Sequence, residues 1–425
     1  GNITLYHDRP LRVMLWGVGA FTHGVLHVLR KHGAEVCTYL TRDYAHYSPS
    51  LEGETFHNEI YPNPCPLIRD RQIDVVIPMS IDWTLADWAD EFLAMQVPIF
   101  SPTDQGMLIE RDRYFGYELC QKYDVPFPVS HSAGNRIEAE EILDRQPLPY
   151  VIKNTFCSPT SPIHTIVCES VEDTRSWLGR LDYAEGVFLQ EYVGRREAGH
   201  IAVVSDGEIH SLVTNQEYKR AFNSNMGIVA GAPLGGIVEK DPDDKYGLAA
   251  QLLRPLLPWF REVAFHGPVQ VTAAEHKGKW HVLEYNVRIG ITSGPLILKM
   301  LENPLDVLWN VVRNKPVEIR FRDDINFGCS LTLAGYGYPY IQVECPKLPI
   351  VVEGELSCDA WWNEVALDAK GKLHMTGHRI VDISASDKTL ENAIKTAYDN
   401  IRKIHCIGSY YRTDIGESLW PPGSD

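Results

Sequence analysis

The run Val282-Leu283-Glu284-Tyr285-Asn286-Val287-Arg288-Ile289-Gly290 places a carboxylate, an amide and a guanidinium at alternate positions of an apolar stretch. In an extended strand, residues two apart share a face. Glu284, Asn286 and Arg288 are therefore expected to point into one site. A carboxylate with an amide oxygen suits Mg²⁺, a hard cation that takes oxygen ligands and keeps some of its waters. The forked donors of Arg288 suit a phosphate oxygen beside it. Together the three read as a metal–phosphate site. The competing reading is an edge strand with a solvated polar face, because half-exposed strands alternate in the same way. Other segments decide between the two.

The elements that would position this strand can be followed along the chain. Arg12 to Trp16 reads as a buried strand, Gly17-Val18-Gly19 as a turn, Gly24 to Lys31 as a helix and Glu35 to Leu40 as a second strand. Ile73 to Pro78 and Val97 to Phe100 read as further strands around a helix over Thr84 to Met95. This alternation implies a parallel, doubly wound sheet. The glycine turn is G-x-G-x-x-x-x-G, not the dinucleotide fingerprint, and no acidic residue is well placed for a ribose, so a nicotinamide site is disfavoured. The turn could still offer backbone N–H groups to an anion. A helix is expected from Gly106 to Tyr123, carrying Arg111 and Arg113. Strands then follow at Tyr150 to Lys153 and Gly186 to Val193, with hairpins over 200–214 and 269–286. More hairpins, one turning at Lys370-Gly371-Lys372, and an amphipathic helix from Leu390 to Ile404 complete the pattern.

Bulk properties narrow the function. The 425 residues are enough for two or three domains, and 44% hydrophobic content supplies their cores. A net charge of −16 argues against a general nucleic-acid or anionic-membrane binder, while leaving room for a local basic pocket. Nine cysteines, odd in number and without a C-x-x-C pair, read as free thiols of a reducing cytoplasm. Neither a signal peptide nor a membrane-spanning run is expected.

Lys153 on one strand, Glu191 on another, Glu197 just beyond it and the E-x-N-x-R strand occur in that order. The succession resembles the ATP-grasp superfamily, in which two α+β subdomains clamp ATP. The segments Gly377-His378-Arg379-Ile380-Val381, Thr389-Leu390-Glu391-Asn392-Ala393 and Tyr411-Arg412-Thr413-Asp414-Ile415-Gly416 look like the closing domain of phosphoribosylamine–glycine ligase, with its G-G-R-V-L, T-x-x-E-A and Y-R-x-D-I-G elements. Ser101-Pro102-Thr103 and Gln216-Glu217-Tyr218-Lys219-Arg220 match its G-P-T and Q-D-H-K-R elements. The chain is similar to that family along nearly its whole length.

The resemblance implies an α/β and α+β architecture: an N-terminal doubly wound parallel sheet (residues 1–105), an ATP-grasp clamp (106–319) and a C-terminal mixed β domain packing on the active site (320–425). It implies that Lys153 and Arg113 meet the nucleotide phosphates, with arginine where the family has lysine. Gln190, Glu191, Tyr192 and Val193 would form the hinge that reads adenine, and Glu197 would hold the ribose. Glu284 and Asn286 would bind Mg²⁺, and Arg288 would steady the transferring phosphoryl group. Lys219, with Arg220, would face an anion. Gly19, Asp82, Arg288, Gly290 and Arg379 would surround the substrates, Arg379 binding a carboxylate or making an interdomain salt bridge. The implied activity is ADP-forming carboxylate–amine ligation through an acyl phosphate, using ATP and Mg²⁺. Its partners would be small molecules, not nucleic acid or membrane, acting on a cytoplasmic monomer or homodimer.

Departures from the family set further expectations. The phosphate-covering loop, glycine-rich with a lysine in the family, is Asn154-Thr155-Phe156-Cys157-Ser158-Pro159-Thr160-Ser161-Pro162-Ile163-His164 here, leaving Ser158, Thr160, Ser161 and His164 as candidate donors. The family's G-N-G-G-R-E-H-A becomes Gly17-Val18-Gly19-Ala20-Phe21-Thr22-His23-Gly24, G-P-E-A-P-L becomes Pro78-Met79-Ser80-Ile81-Asp82-Trp83, and D-P-E becomes Ile291-Thr292-Ser293. These changes favour an amine other than phosphoribosylamine, as a pathway of specialised metabolism would use. The alternatives are a genuine phosphoribosylamine–glycine ligase, an enzyme that stops at phosphoryl transfer, and a non-catalytic binding module. Trp16, Phe21, Trp83 and Trp88 are either core or the wall of a flatter amine pocket.

Overall fold

Strand β1, Arg12–Trp16, is apolar because it is central: it pairs in parallel with β2, Glu35–Leu40, on one side and β4, Val75–Pro78, on the other. β3, Glu54–His57, extends the sheet to the order β3-β2-β1-β4. The computed structural model describes residues 9–42, 51–158, 160–341 and 346–416. Val97 to Phe100 adds a single parallel bridge, Val76 to Ile99, rather than a full strand. Pro98 has no N–H to extend it. The helix after β1 begins at Gly19 and runs to Lys31, five residues earlier than the sequence pattern suggests.

Two expected helices are broken, each for a reason. The span from Thr84 divides into a 3₁₀ turn, Asp82–Leu85, and a helix, Ala89–Met95. The break lets Trp83, Trp88 and Phe92 converge on Trp16, with ring centroids 5.9, 5.0 and 4.8 Å away. Trp16, Trp83 and Phe21 are buried in the core and Trp88 packs against it, so these aromatics do not wall a substrate pocket. The second helix divides at Asp112, which is extended and accepts from the Tyr114 and Phe115 amides. This N-cap starts a new helix, Arg113–Lys122, with Arg113 in its first turn.

A small antiparallel sheet follows: β5, Ser130–Ala133; β6, Tyr150–Asn154; β7, Ile166–Val167; and β8, Val187–Glu191, in the order β5-β8-β6-β7. It has its own core around Ile152, Leu189 and Leu143. The large sheet begins with β9, Glu197–Ser205, and β10, Glu208–Glu217. A projecting hairpin, β11 (Arg220–Phe222) and β12 (Met226–Val229), precedes β13, Gly235–Lys240. Then come β14, Gly267–His276, β15, Lys279–Asn286, and β16, Phe327–Ala334. The C-terminal segment adds β17, Val351–Val352; β18, Asp359–Trp362; the hairpin β19–β20, Val365–Leu367 and Leu373–Met375; and β21, Arg379–Asp387. The eight-stranded order is β15-β14-β9-β10-β13-β16-β21-β18. Because β13 pairs with β16, the sheet continues across residue 320. The C-terminal helix is Leu390–Ile401; it stops short of Ile404 because Ile404 and His405 pair with β17.

The eight described cysteines are free, and Cys345 lies outside the described residues. No helix among the described residues is long and apolar enough to cross a membrane.

The C-terminal tail braces the strip after β10. Arg412 is 1% exposed; it forks onto Asp414 (2.9 and 2.7 Å), donates to the Arg220 carbonyl and lies over the Tyr218 ring. Removing one member of such a buried pair costs about 3 kcal/mol or more. Arg412→Met is therefore expected to lower the thermal unfolding midpoint measured by circular dichroism, with Arg412→Lys recovering only part of the loss. An unchanged midpoint would show that the tail is not a brace.

Candidate active site

The small sheet is tied to the edge strand of the large one. Lys153 Nζ, at the end of β6, donates to the Leu283 carbonyl of β15 at 2.9 Å. Gln190 Nε2, on β8, donates to the same carbonyl at 3.1 Å. The cleft between the sheets holds a cavity of about 300 Å³. Lys153, Gln190 to Val193, Glu197, Lys219, Glu284, Asn286 and Arg288 all line it. Strand β15 ends at Asn286, yet the alternation carries on, so Arg288 reaches the same cavity as Glu284 and Asn286.

Glu284 is the electrostatic centre. Arg113 Nη1 lies 3.4 Å from one carboxylate oxygen and Lys219 Nζ 3.9 Å from the other. Burial opposes its ionisation, but Lys219, Lys153, Arg113 and Arg288 outweigh burial and hold its pKa far below the usual carboxylate range. Lys219 feels the mirror effect. Burial would lower its pKa, and Glu197, Glu284 and Glu217 raise it instead. Lys153 is the exception among the cations. Burial, aided by the Arg113 charge, lowers its ammonium to about 7. Arg113 does not line the cavity; its Nε donates to the Asn154 carbonyl at 2.9 Å and it supports Glu284 from behind.

In the segment expected to form the hinge, the Glu191 and Tyr192 amides donate to the Val129 and Pro149 carbonyls, each at 2.8 Å. The Val193 amide has no partner among the described residues, and Gln190 Oε1 is buried without one.

Four expected substrate residues stand elsewhere. Arg379 is enclosed: it donates to the Ala232 and Pro233 carbonyls (3.1 and 2.7 Å), the Tyr338 hydroxyl and Thr332 Oγ1, with Asp382 3.9 Å away. It braces the 230–233 segment, which lines the cavity, instead of meeting a substrate carboxylate. Gly19 lies against Asn363, whose Oδ1 accepts from the Ala20 amide at 2.7 Å, so that helix start has a side-chain partner already. Asp82 is exposed and outside the cavity. Gly290 is buried and packs on Ser293, while its neighbour Ile291 lines the cavity.

In the 154–164 loop, the Ser158, Thr160 and Ser161 hydroxyls bond within the loop itself. Ser158 Oγ pairs with Thr160 Oγ1, and Ser161 Oγ donates to the Phe156 carbonyl. His164 is exposed, and Thr165 is the nearest loop residue on the cavity wall. Pro159 lies outside the described residues.

Sequence reasoning did not single out Glu110, and it named Glu217 only as part of the Gln216–Arg220 element, without a role. Glu110 is buried, accepts from the Val287 amide at 2.7 Å and so fixes the backbone between Asn286 and Arg288; burial raises its pKa. Glu217 sits one residue from Tyr218 on the cavity wall, and the alternation Asn215, Glu217 along β10 would have revealed it. A grouping of His200, Asp241 and Asp244 has metal-type ligands but is internally paired, His200 with Thr214 and Ser211 and Asp244 with the Ala249 and Ala250 amides.

Residues 329–418 match the family model described as phosphoribosylglycinamide synthetase, C domain. Phosphoribosylamine–glycine ligase of Thermotoga maritima is 24% identical over 428 residues, covering 96% of this chain and 99% of the relative. Its namesake from Clostridium acetobutylicum is 26% identical over 347 residues, covering 77% and 81%. The crystal structure of the Thermotoga maritima enzyme superposes with a TM-score of 0.77 at 21% identity, covering 96% of this chain and 100% of that one. This chain has the ATP-grasp fold and resembles phosphoribosylamine–glycine ligase. Biotin carboxylase of Campylobacter jejuni, solved as a beta-gamma-ATP complex, shares the fold at a TM-score of 0.70, 9% identity and coverage of 96% and 94%.

If the cleft takes a nucleotide, as proposed below, the lowered Lys153 pKa would make its binding proton-linked. A phosphate beside Lys153 favours its charged form and raises its pKa above 7, so binding takes up protons at pH 8 and the uptake fades below about pH 6, where Lys153 is already charged. Calorimetry of Mg·ADP binding in buffers of different ionisation enthalpy is expected to report this uptake, and Lys153→Met to remove it. Equal proton linkage in the two proteins would contradict the assignment.

Proposed function

We propose that this ATP-grasp protein is an ADP-forming carboxylate–amine ligase whose cleft holds ATP between the small and large sheets. The observation that carries the reading is the convergence of Arg113, Lys153, Lys219 and Arg288 on the one carboxylate of Glu284. Such a surplus of fixed cations matches a polyphosphate far better than it matches a single carboxylate. Gln190 to Val193 hold the base, with the unpartnered Val193 amide and Gln190 Oε1 as its polar contacts. Glu197 holds the ribose. The donor set of Glu284 and Asn286 fits Mg²⁺, which when bound adds positive charge at the transferring phosphate.

The chemistry needs no enzyme nucleophile. A substrate carboxylate oxygen attacks the γ-phosphorus, the bond to ADP breaks, and an acyl phosphate forms. The amine nitrogen then attacks the acyl carbon, loses a proton, and phosphate leaves. Lys153 and Arg288 stabilise the charge that moves during the first step, and the cleft holds the partners in line.

The relatives' names favour phosphoribosylamine and glycine over an unrelated pair, and this pair is the first to test. A second reading, a different amine, rests on one observation: the Ala20 amide at the N-terminal glycine turn is already bonded to Asn363, and no charged side chain stands in for those the family carries there. The non-catalytic reading rests on the internally bonded 154–164 loop.

Purified protein is expected to release ADP from Mg·ATP only when a carboxylate and an amine are both present. Glycine with phosphoribosylamine heads the panel, and Glu284→Ala is expected to abolish release. Release with a carboxylate alone would make the protein a phosphotransferase. Failure to bind nucleotide at all would support the binding-module reading with an unrelated ligand.

A further inference from the structure

The floor of the large sheet contains a second polar cavity beside Glu284. Asn215 pairs with Gly199, Gly199 with Thr272, and Thr272 with Glu284, so four adjacent strands set these residues in one row. Directly opposed residues share a face, and this face is the one that lines the cleft. Gly199 is the gap in the row. A Cβ there would overlap Asn215 Oδ1, which lies across it. The gap leaves a cavity of about 10 Å³, room for one water-sized particle, rimmed by Glu197, Glu217 and Lys219.

Two atoms of the row call for a ligand. Asn215 is 1% exposed and Thr272 is 5% exposed, and neither Asn215 Oδ1 nor Thr272 Oγ1 has a hydrogen-bond partner among the described residues. Buried polar atoms are almost always partnered.

We propose that this cavity binds a monovalent cation, K⁺ or Na⁺. Its lining offers an amide oxygen, a hydroxyl oxygen and two carboxylates, all hard oxygen donors. Counted on its own lining, this small cavity sets two carboxylates, Glu197 and Glu217, against one ammonium, Lys219, a local excess of one negative charge at the edge of a cleft that is cationic around Glu284. A water would satisfy the two orphaned oxygens but not that charge. Mg²⁺ demands six close ligands and gives up its waters reluctantly, and the cavity has no room for them. A cation here would fix the strand row that carries Glu284, coupling monovalent salt to nucleotide binding. The inference holds whichever carboxylate and amine are joined.

The test compares thermal unfolding and Mg·ADP affinity of the full chain in KCl, NaCl and tetramethylammonium chloride at one ionic strength. K⁺ or Na⁺ is expected to raise the midpoint and to tighten Mg·ADP binding by about 5-fold. Thr272→Val, which keeps the side-chain shape, and Gly199→Ala, which fills the gap, are expected to erase the difference. A protein-bound ²⁰⁵Tl⁺ resonance displaced by K⁺ is expected in the native chain, so the test does not depend on the variants folding. Identical behaviour in the three salts, meaning a site for water only, would overturn the proposal. A salt preference that survives in both variants would overturn it as well.

Discussion

The structure turns on a carboxylate that no single cation owns. Glu284 projects from an edge strand into a cleft where Arg113, Lys153, Lys219 and Arg288 all act on it. These groups come from a helix start, the small sheet, the strip after β10 and the segment just past β15. Partly buried like charges repel strongly, since water screens them little. The four elements therefore hold together around Glu284 and the nearby Glu197 and Glu217. The chain is acidic overall, at −16, so this basic pocket is a local construction.

Two further arginines, both enclosed, shape the pocket without entering it. Arg379 fastens the 230–233 segment through its carbonyls, and Arg412 fastens the Tyr218–Arg220 strip through a ring, a carbonyl and Asp414. Both come from the C-terminal segment, whose strands β16, β21 and β18 continue the large sheet. That segment therefore forms part of the cleft's frame. It also meets the N-terminal sheet: Asn363 bonds the Ala20 amide and Asp382, and the Trp362 amide donates to His23 Nδ1.

Much of this was legible in the residues, and the exceptions have physical causes. The period-two alternation of Glu284, Asn286 and Arg288 predicted a shared face because β15 pairs regularly from Glu284 to Asn286, beyond the register shift at Leu283. Lys153 and Glu197 were singled out by their order along the chain, and both line the cavity. Arg379 was left open between a substrate carboxylate and an interdomain contact because a guanidinium can serve either, and the carbonyls it bonds lie nearly 150 residues away. The Gly106–Tyr123 helix was drawn too long because Asp112 fits a helix pattern; only its capping bonds show the break that turns Arg113 toward Glu284. Glu110 escaped notice because its partner, the Val287 amide, is backbone and 177 residues distant. The tryptophans were ambiguous because composition does not say which face a ring takes, and they fill the core.

The measurement closest to the central claim replaces Mg²⁺ with Mn²⁺ and follows its electron paramagnetic resonance with ADP present. If Glu284 and Asn286 hold the metal among phosphate-binding cations, the native chain binds Mn·ADP and shows the broadened spectrum of an ordered site, and Glu284→Ala and Asn286→Ala lose it. A bound Mn·ADP spectrum that is the same in both variants would contradict the account and place the metal elsewhere.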